Sequence, residues 1–176
     1  MQHSRIHAPL AEALAARGYD TLTSVQSEVI KEGADDRDLI VSAKTGSGKT
    51  VAFGLAIAHQ LIEGDRVPWS REPLGLVIAP TRELAIQVSK ELEWLYAFAG
   101  ARVVTCVGGM DPMKERRALN GGAHIVVGTF LDDFGLNRSQ RVIAARGQSL
   151  RKGGVDSRIL HGVSAYSRLE RSGRLF

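Results

Sequence analysis

The stretch that decides the fold reads Ala43-Lys44-Thr45-Gly46-Ser47-Gly48-Lys49-Thr50. Its glycines let the backbone approach a ligand without a clashing Cβ, and the helix predicted after it exposes backbone amides with partial positive charge. Lys49 adds a full positive charge, and the Thr50 hydroxyl is a suitable ligand for Mg²⁺. This pattern is typical of a loop that holds nucleotide phosphates, with Ala43 in place of the usual first glycine. A Gly-rich strand-to-helix turn with solvated lysines is the alternative interpretation.

Strand and helix patterns alternate on both sides of this loop. Short apolar runs predict strands over 38–42, 74–79, 102–107 and 124–127. Helical spacing of apolar residues predicts helices over 9–17, 24–32, 49–62, 82–98 and 111–119. Strands that alternate with helices indicate an α/β fold with a parallel sheet flanked by helices.

Length and composition exclude several classes of protein. The chain has 176 residues and is 44% hydrophobic, which is enough for the core of one domain. Its longest apolar stretch, residues 51–62, is shorter than the roughly 20 residues that span a bilayer. The single cysteine, Cys106, excludes an internal disulfide framework and is expected to be an inert core residue. We therefore expect a cytoplasmic protein without a membrane partner and without a metal site built from histidine or cysteine.

The basic charge of the chain is concentrated at one end. Residues 1–130 carry 14 Lys and Arg against 15 Asp and Glu, whereas residues 131–176 carry nine against four. Periodicity is weak in this tail, where only 141–145 and 158–165 look like short elements. The sequence thus predicts a boundary near residue 130.

Four motifs in order carry a family resemblance. Gly18-Tyr19 with Thr23-Ser24-Val25-Gln26 is followed by the glycine-rich loop, by Pro80-Thr81-Arg82-Glu83-Leu84-Ala85 and by Gly108-Gly109. Over about residues 5–129 the sequence resembles the N-terminal RecA-like domain of DEAD-box RNA helicases, through their Q motif, motif I, motif Ia and GG motif. The resemblance implies an incomplete P-loop RecA-like ATP-binding domain over 1–129 and a divergent tail over 130–176.

The resemblance also assigns roles by position. Gln26 and Tyr19 would contact adenine, and residues 43–50 would hold the phosphates of ATP, with Lys49 and Thr50 as catalytic residues and Thr50 as the Mg²⁺ ligand. The residues implied to approach the RNA backbone are Pro80, Thr81, Arg82, Glu83, Gly108, Gly109 and Thr129. Hydroxyl, guanidinium and backbone N–H groups bind phosphate oxygens without reading bases, which fits such a surface.

Each assignment has a structural alternative. Gln26 lies three residues after Thr23, which is also the spacing of a helix capping box. Arg82 and Glu83 would suit a solvated first helical turn, and Gly108-Gly109 would suit an ordinary turn.

The sequence departs from the family in ways that bear on activity. Leu22 and Ser24 replace the prolines of the Q motif, and the Gly-Thr-Pro-Gly-Arg pattern breaks at Phe130. No Asp-Glu-Ala-Asp sequence occurs, so no carboxylates can be named for Mg²⁺ binding and hydrolysis. The implied function is the ATP-binding half of an ATP-dependent RNA helicase, inactive as a hydrolase alone. A non-catalytic ATP- and RNA-binding module is the alternative; a small P-loop metabolite kinase is disfavoured by the Pro-Thr-Arg-Glu-Leu-Ala sequence.

Two interpretations of residues 130–176 remain open. The tail would be either an out-of-frame extension of a helicase gene or a divergent segment that completes the domain and offers basic charge to RNA. The out-of-frame interpretation predicts that another reading frame of the gene encodes the absent motifs.

Overall fold

The computed structural model describes residues 5–34, 39–70, 72–107, 111–129, 159–161 and 164–166. Five helices lie in these ranges: α1 (Ala8–Ala16), α2 (Ser24–Val29), α3 (Lys49–Leu61), α4 (Arg82–Leu95) and α5 (Pro112–Asn120). Five strands accompany them: β1 (Gly75–Ala79), β2 (Val103–Cys106), β3 (Ile125–Thr129), β4 (Ile159–His161) and β5 (Ser164–Tyr166). No helix in these ranges is long and apolar enough to cross a bilayer.

The strands form one sheet in the order β2-β3-β1-β4-β5. The pairs β2–β3, β3–β1 and β1–β4 are parallel, and only β4–β5 is antiparallel. All five residues of β3 are buried, as expected for a strand covered on both faces. The predicted α/β architecture is therefore confirmed, and its first three strands lie within two residues of the predicted ranges.

The strand predicted over 38–42 is wrong for its described part, residues 39–42. These residues are irregular and pair with no strand of the described sheet, and the Ile40 side chain is 81% exposed. A strand needs a neighbour to satisfy its backbone N–H and C=O groups. Here β4 pairs with the available edge of β1, through Leu76 and Ile159, so this apolar run has no partner there.

The tail contributes to the sheet. The element expected over 158–165 is two strands, β4 and β5, in which Leu160 pairs with Ala165. The element expected over 141–145 lies outside the described residues.

Two helices end earlier than their apolar spacing predicts. Helix α2 ends at Val29, and Gly33 then adopts a positive φ of 79°. Helix α4 ends at Leu95 because Tyr96 leaves the helix and becomes fully buried, donating its hydroxyl to the Gly54 carbonyl at 2.7 Å.

The seam between α3 and α4 is packed closely at Gly54. A Cβ atom at this position would overlap Leu95 Cδ2 and would lie 3.2 Å from Leu92 Cδ2, and both leucines are buried. Glycine in the middle of a helix costs about 1 kcal/mol relative to alanine. Its presence here is explained by the close approach of the two helices.

We predict that Gly54→Ala lowers the free energy of unfolding by about 1–2 kcal/mol. Overpacking costs about 1–3 kcal/mol and outweighs the gain in helix propensity. Urea denaturation measures the change. Gly75→Ala is the control, because its Cβ would meet nothing closer than 3.7 Å; equal or higher stability of Gly54→Ala would contradict the packing argument.

His124 joins the amino ends of three strands. Its Nδ1 accepts a hydrogen bond from the Arg102 amide at 2.8 Å, its amide donates to the Arg102 carbonyl, and its carbonyl accepts from Gly75. Burial, and then the positive charge of Arg102, lower the pKa of His124. The native state therefore favours the neutral ring, with Nδ1 as acceptor.

We predict that this histidine destabilises the fold on acidification. Because its pKa is lower in the native state, the unfolded chain binds the extra proton, so stability is complete above about pH 6.5 and falls as the pH drops below it. Thermal midpoints between pH 7.5 and 5.5 measure the effect. His124→Asn keeps an acceptor without titrating, and a decline as steep as that of the parent would contradict the assignment.

Candidate functional site

Positive backbone angles shape the glycine loop, residues 43–50. Gly46 and Gly48 have φ values of 78° and 79°, in the left-handed region that glycine adopts without strain. Gly48 is the N-cap of α3, so the helix begins at Lys49. The first amides of a helix have no intrahelical acceptor, and the loop therefore presents them at one end of α3.

The Lys49 side chain folds back over this loop. Its Nζ donates to the carbonyl oxygens of Ala43 and Lys44, at 2.6 Å each. An ammonium has three hydrogens, so one remains for a further acceptor. Lys49 thus lies across the loop, and its contact with nucleotide phosphates stays a prediction.

The helix before the loop holds it in place. Thr23 Oγ1 donates to the Ser47 carbonyl at 2.9 Å, and Gln26 Nε2 donates to the Gly48 carbonyl at 3.3 Å. Gln26 Oε1 accepts from the Thr23 amide at 3.0 Å, which completes the capping box. Gln26 is fully buried. We call these hydrogen bonds the Thr23–Gln26 clamp. The capping interpretation is confirmed, and the contact of Gln26 with adenine stays a prediction.

Tyr19 packs against helix α4. Its ring lies 5.7 Å from the ring of Trp94 on α4, and the Arg17 guanidinium lies 5.0 Å from the Trp94 centroid. The aromatic pair and the cation–π contact fix the start of the Q-motif segment against α4. A role of Tyr19 at the base remains a prediction.

The chemistry of the loop fits a phosphate group with a hard cation. Ser47 Oγ is buried without a hydrogen-bond partner in the described structure, and a Cβ at Gly46 would meet no atom within 4 Å. Thr50 is the second residue of α3 and is half-buried. Loop amides, an ammonium and hydroxyls are suitable donors and ligands for a nucleotide phosphate and Mg²⁺. Within the described ranges no three His, Cys, Asp or Glu side chains cluster as a metal site.

The described residues among those that the resemblance assigns to RNA lie at the carboxyl edge of the sheet. Ala79, the last residue of β1, pairs with Thr129, the last residue of β3. Pro80 and Thr81 follow β1, and Thr81 Oγ1 caps α4 by accepting from the Leu84 amide at 3.2 Å. Arg82 and Glu83 are solvent-exposed in the first turn of α4, whereas Thr129 is buried. Gly108 and Gly109 lie outside the described residues.

One buried residue at this edge, Glu115, is not predicted by the sequence. Glu115 on α5 is 4% exposed, and its Oε1 accepts from the Val107 amide at 3.0 Å. Burial, and then the negative charge of Glu115, raise the pKa of the Cys106 thiol to about 12, so the thiol stays protonated. The sequence signals only that Glu115 lies near the start of a helix capped by Asp111, where an acidic residue is commonly solvent-exposed.

We predict that the clamp makes Gly48 less tolerant of substitution than Gly46. Both glycines have positive φ, but only a Cβ at Gly48 would overlap Gln26 Nε2. Gly48→Ala should cost about 1–3 kcal/mol more than Gly46→Ala, as expected for overpacking against the buried Gln26 side chain. Urea denaturation of both variants measures the difference, and equal losses would show that the clamp does not hold the loop.

Comparisons with known proteins agree with this geometry. The sequence profile of the DEAD/DEAH box helicase family matches residues 23–146, which extends past the expected boundary at 129. The chain is 46% identical over 120 residues to the ATP-dependent rRNA helicase rrp3 of Aspergillus niger, covering 68% of this chain and 25% of that protein. It is 39% identical over 128 residues to the DEAD-box ATP-dependent RNA helicase CshA of Bacillus licheniformis, covering 73% of this chain and 25% of that protein.

Solved structures show the same relationship. The RNA helicase Prp28 of Chaetomium thermophilum, bound to ADP, has a TM-score of 0.65 and 27% identity, over 88% of this chain and 43% of that chain. A hypothetical ATP-dependent RNA helicase from Sulfolobus tokodaii has a TM-score of 0.58 and 27% identity, over 84% of this chain and 37% of that chain. The chain spans about a quarter of the length of the curated relatives. Because the family profile covers more than half of the chain, the chain belongs to the DEAD/DEAH box helicase family.

Proposed function

We propose that this chain is the nucleotide- and RNA-binding part of an ATP-dependent RNA helicase. The observation that carries the proposal is the Thr23–Gln26 clamp, which joins the Q-motif helix to the glycine loop through Ser47 and Gly48. Relatives are named ATP-dependent rRNA helicase and DEAD-box ATP-dependent RNA helicase, and the related Prp28 was solved with ADP.

In this proposal the loop binds the phosphates of ATP. The amides at the start of α3 and the Lys49 ammonium provide the positive charge. The Thr50 hydroxyl would hold Mg²⁺, which would supply further positive charge for the phosphates. Lys49 already lies over the loop through its contacts with the Ala43 and Lys44 carbonyls, so its positive charge is in place before the nucleotide binds. On binding, Lys49 would exchange these carbonyl contacts for phosphate oxygens.

RNA binds at the carboxyl edge of the sheet in the same proposal. Thr81, Arg82 and Thr129 approach phosphate oxygens, and Pro80 with Glu83 shapes the turn into α4. Helix α4 links the two sites. Its first turn carries Arg82, and near its other end Trp94 packs on Tyr19. Tyr96, which follows the helix, donates a hydrogen bond to α3. A straight helix of 14 residues is about 21 Å long.

The chain binds ATP in this proposal without appreciable turnover, since its sequence contains no Asp-Glu-Ala-Asp. The non-catalytic ATP- and RNA-binding module therefore stays as the second candidate. RNA binding that weakens strongly with salt and is lost on deletion of residues 131–176 would favour it. A cytoplasmic location belongs to the same proposal.

We predict that Mg-ADP raises the thermal midpoint of the parent and not that of Lys49→Ala. Ligand at 100 times its dissociation constant adds roughly 2.7 kcal/mol of stability. Scanning calorimetry with and without Mg-ADP measures the shift. Lys90→Ala, an exposed change on α4, is the control and should respond like the parent. A parent that melts cooperatively but ignores Mg-ADP would overturn the nucleotide-binding proposal.

A further inference from the structure

The charged residues exposed on helix α5 are all basic. Lys114, Arg116 and Arg117 are exposed, and none of them forms an ion pair with another residue in the described ranges. The only acid within the helix, Glu115, is 4% exposed, and the Asp111 carboxylate at the N-cap accepts a hydrogen bond from the backbone of α5. Three positive charges thus face solvent within about 4.5 Å along the helix axis.

Helix α5 lies on the opposite face of the sheet from α3 and α4. Its Leu119 packs with Val104, Cys106 and Val126 in a small core cluster. The next residue of β3, Val127, belongs instead to the large core that includes α3 and α4. Since successive side chains of a strand point to opposite faces, the two clusters cover the two faces of the sheet.

The first turns of α4 and α5 both lie at the carboxyl edge of the sheet. Helix α4 begins at Arg82, shortly after β1 ends at Ala79. In the first turn of α5, Glu115 accepts a hydrogen bond from the amide of Val107, which directly follows the last residue of β2. Basic side chains therefore flank this edge from both faces, Arg82 on α4 and the three cations on α5.

The order of the strands reverses at the same edge. The chain runs from β1 through α4 to β2 and then returns through α5 to β3, which lies between β1 and β2. In open α/β sheets, ligands bind outside the carboxyl ends of the strands at such a reversal. A ligand bound there is within reach of the helices on both faces, including the basic side chains of α5.

We propose that Lys114, Arg116 and Arg117 bind RNA phosphates directly and extend the proposed RNA surface to α5. This inference rests on the proposed function. The negative charge of an RNA backbone complements three closely spaced cations, and phosphate contacts hold RNA without reading its bases. None of the four motifs identified in the sequence lies on α5, so this surface is larger than the motifs indicate.

The test compares two double variants of the full chain that lose the same charge. Lys114→Gln/Arg117→Gln removes two cations of α5, and Arg66→Gln/Lys90→Gln removes two exposed cations that lie outside α5. Glutamine has a helix propensity close to that of lysine and arginine, so α5 should persist. Fluorescence anisotropy with a single-stranded oligouridylate and with an oligoadenylate gives the RNA dissociation constants over a range of salt concentrations.

The salt dependence reports the number of phosphate contacts. Each contact with a single strand contributes about 0.7 to the slope of log affinity against log salt concentration. The α5 double variant should therefore reduce the steepness of this slope by about 1.4 and weaken binding about tenfold or more at low salt, by the same factor for both oligonucleotides. The control variant should keep the slope of the parent.

The outcomes separate the two proposals. If the parent binds neither oligonucleotide, RNA binding itself fails, and the role of α5 falls with it. If the parent binds and the α5 variant keeps its slope, only the role of α5 is overturned, and its cations are a solvated face. Equal losses in both double variants would also overturn it, because net charge alone would explain them. Should the α5 variant not melt cooperatively, the single variants Lys114→Gln and Arg116→Gln decide: an unchanged slope in both overturns the role.

Discussion

The hydrogen bond from Gln26 to the Gly48 carbonyl is the constraint on which the candidate site depends. It fixes the residue from which α3 starts, and α3 supplies the loop amides and much of the core. The same glutamine closes the capping box of α2, so one fully buried side chain joins the start of α2 to the start of α3. This arrangement also requires a residue without a Cβ at position 48.

The sheet shows how strongly a strand depends on its neighbours. Residues 39–41 are apolar and partly β-branched, as in a buried strand, but residues 39–42 remain irregular while β1 pairs with β3 and β4. Hydrogen bonds between strands belong to both partners, and no local sequence preference replaces a missing one. The tail strands β4 and β5 extend the sheet at the edge of β1.

Helix α4 connects the carboxyl edge of the sheet to helix α3. Thr81 caps it at the carboxyl edge of the sheet, while Leu95 packs against the glycine of α3 and Tyr96 bonds to its carbonyl. Close packing at Gly54 leaves little freedom for the two helices to slide. A shift of α3 would therefore be transmitted to the first turn of α4, which fits a protein whose proposed ligands bind at both places.

The sequence by itself determined the alternation of elements, the glycine loop and the order of four motifs, because periodicity, positive-φ glycines and caps are local properties. The Asp111 cap and Pro112 start of α5, for example, follow from two adjacent residues. Only the tertiary structure decided that residues 39–42 are not a strand and that Glu115 is buried against Val107. Both outcomes depend on which segments of the folded chain pack together. Neither strand pairing nor the burial of a charge is encoded in the residues that neighbour these positions in the sequence.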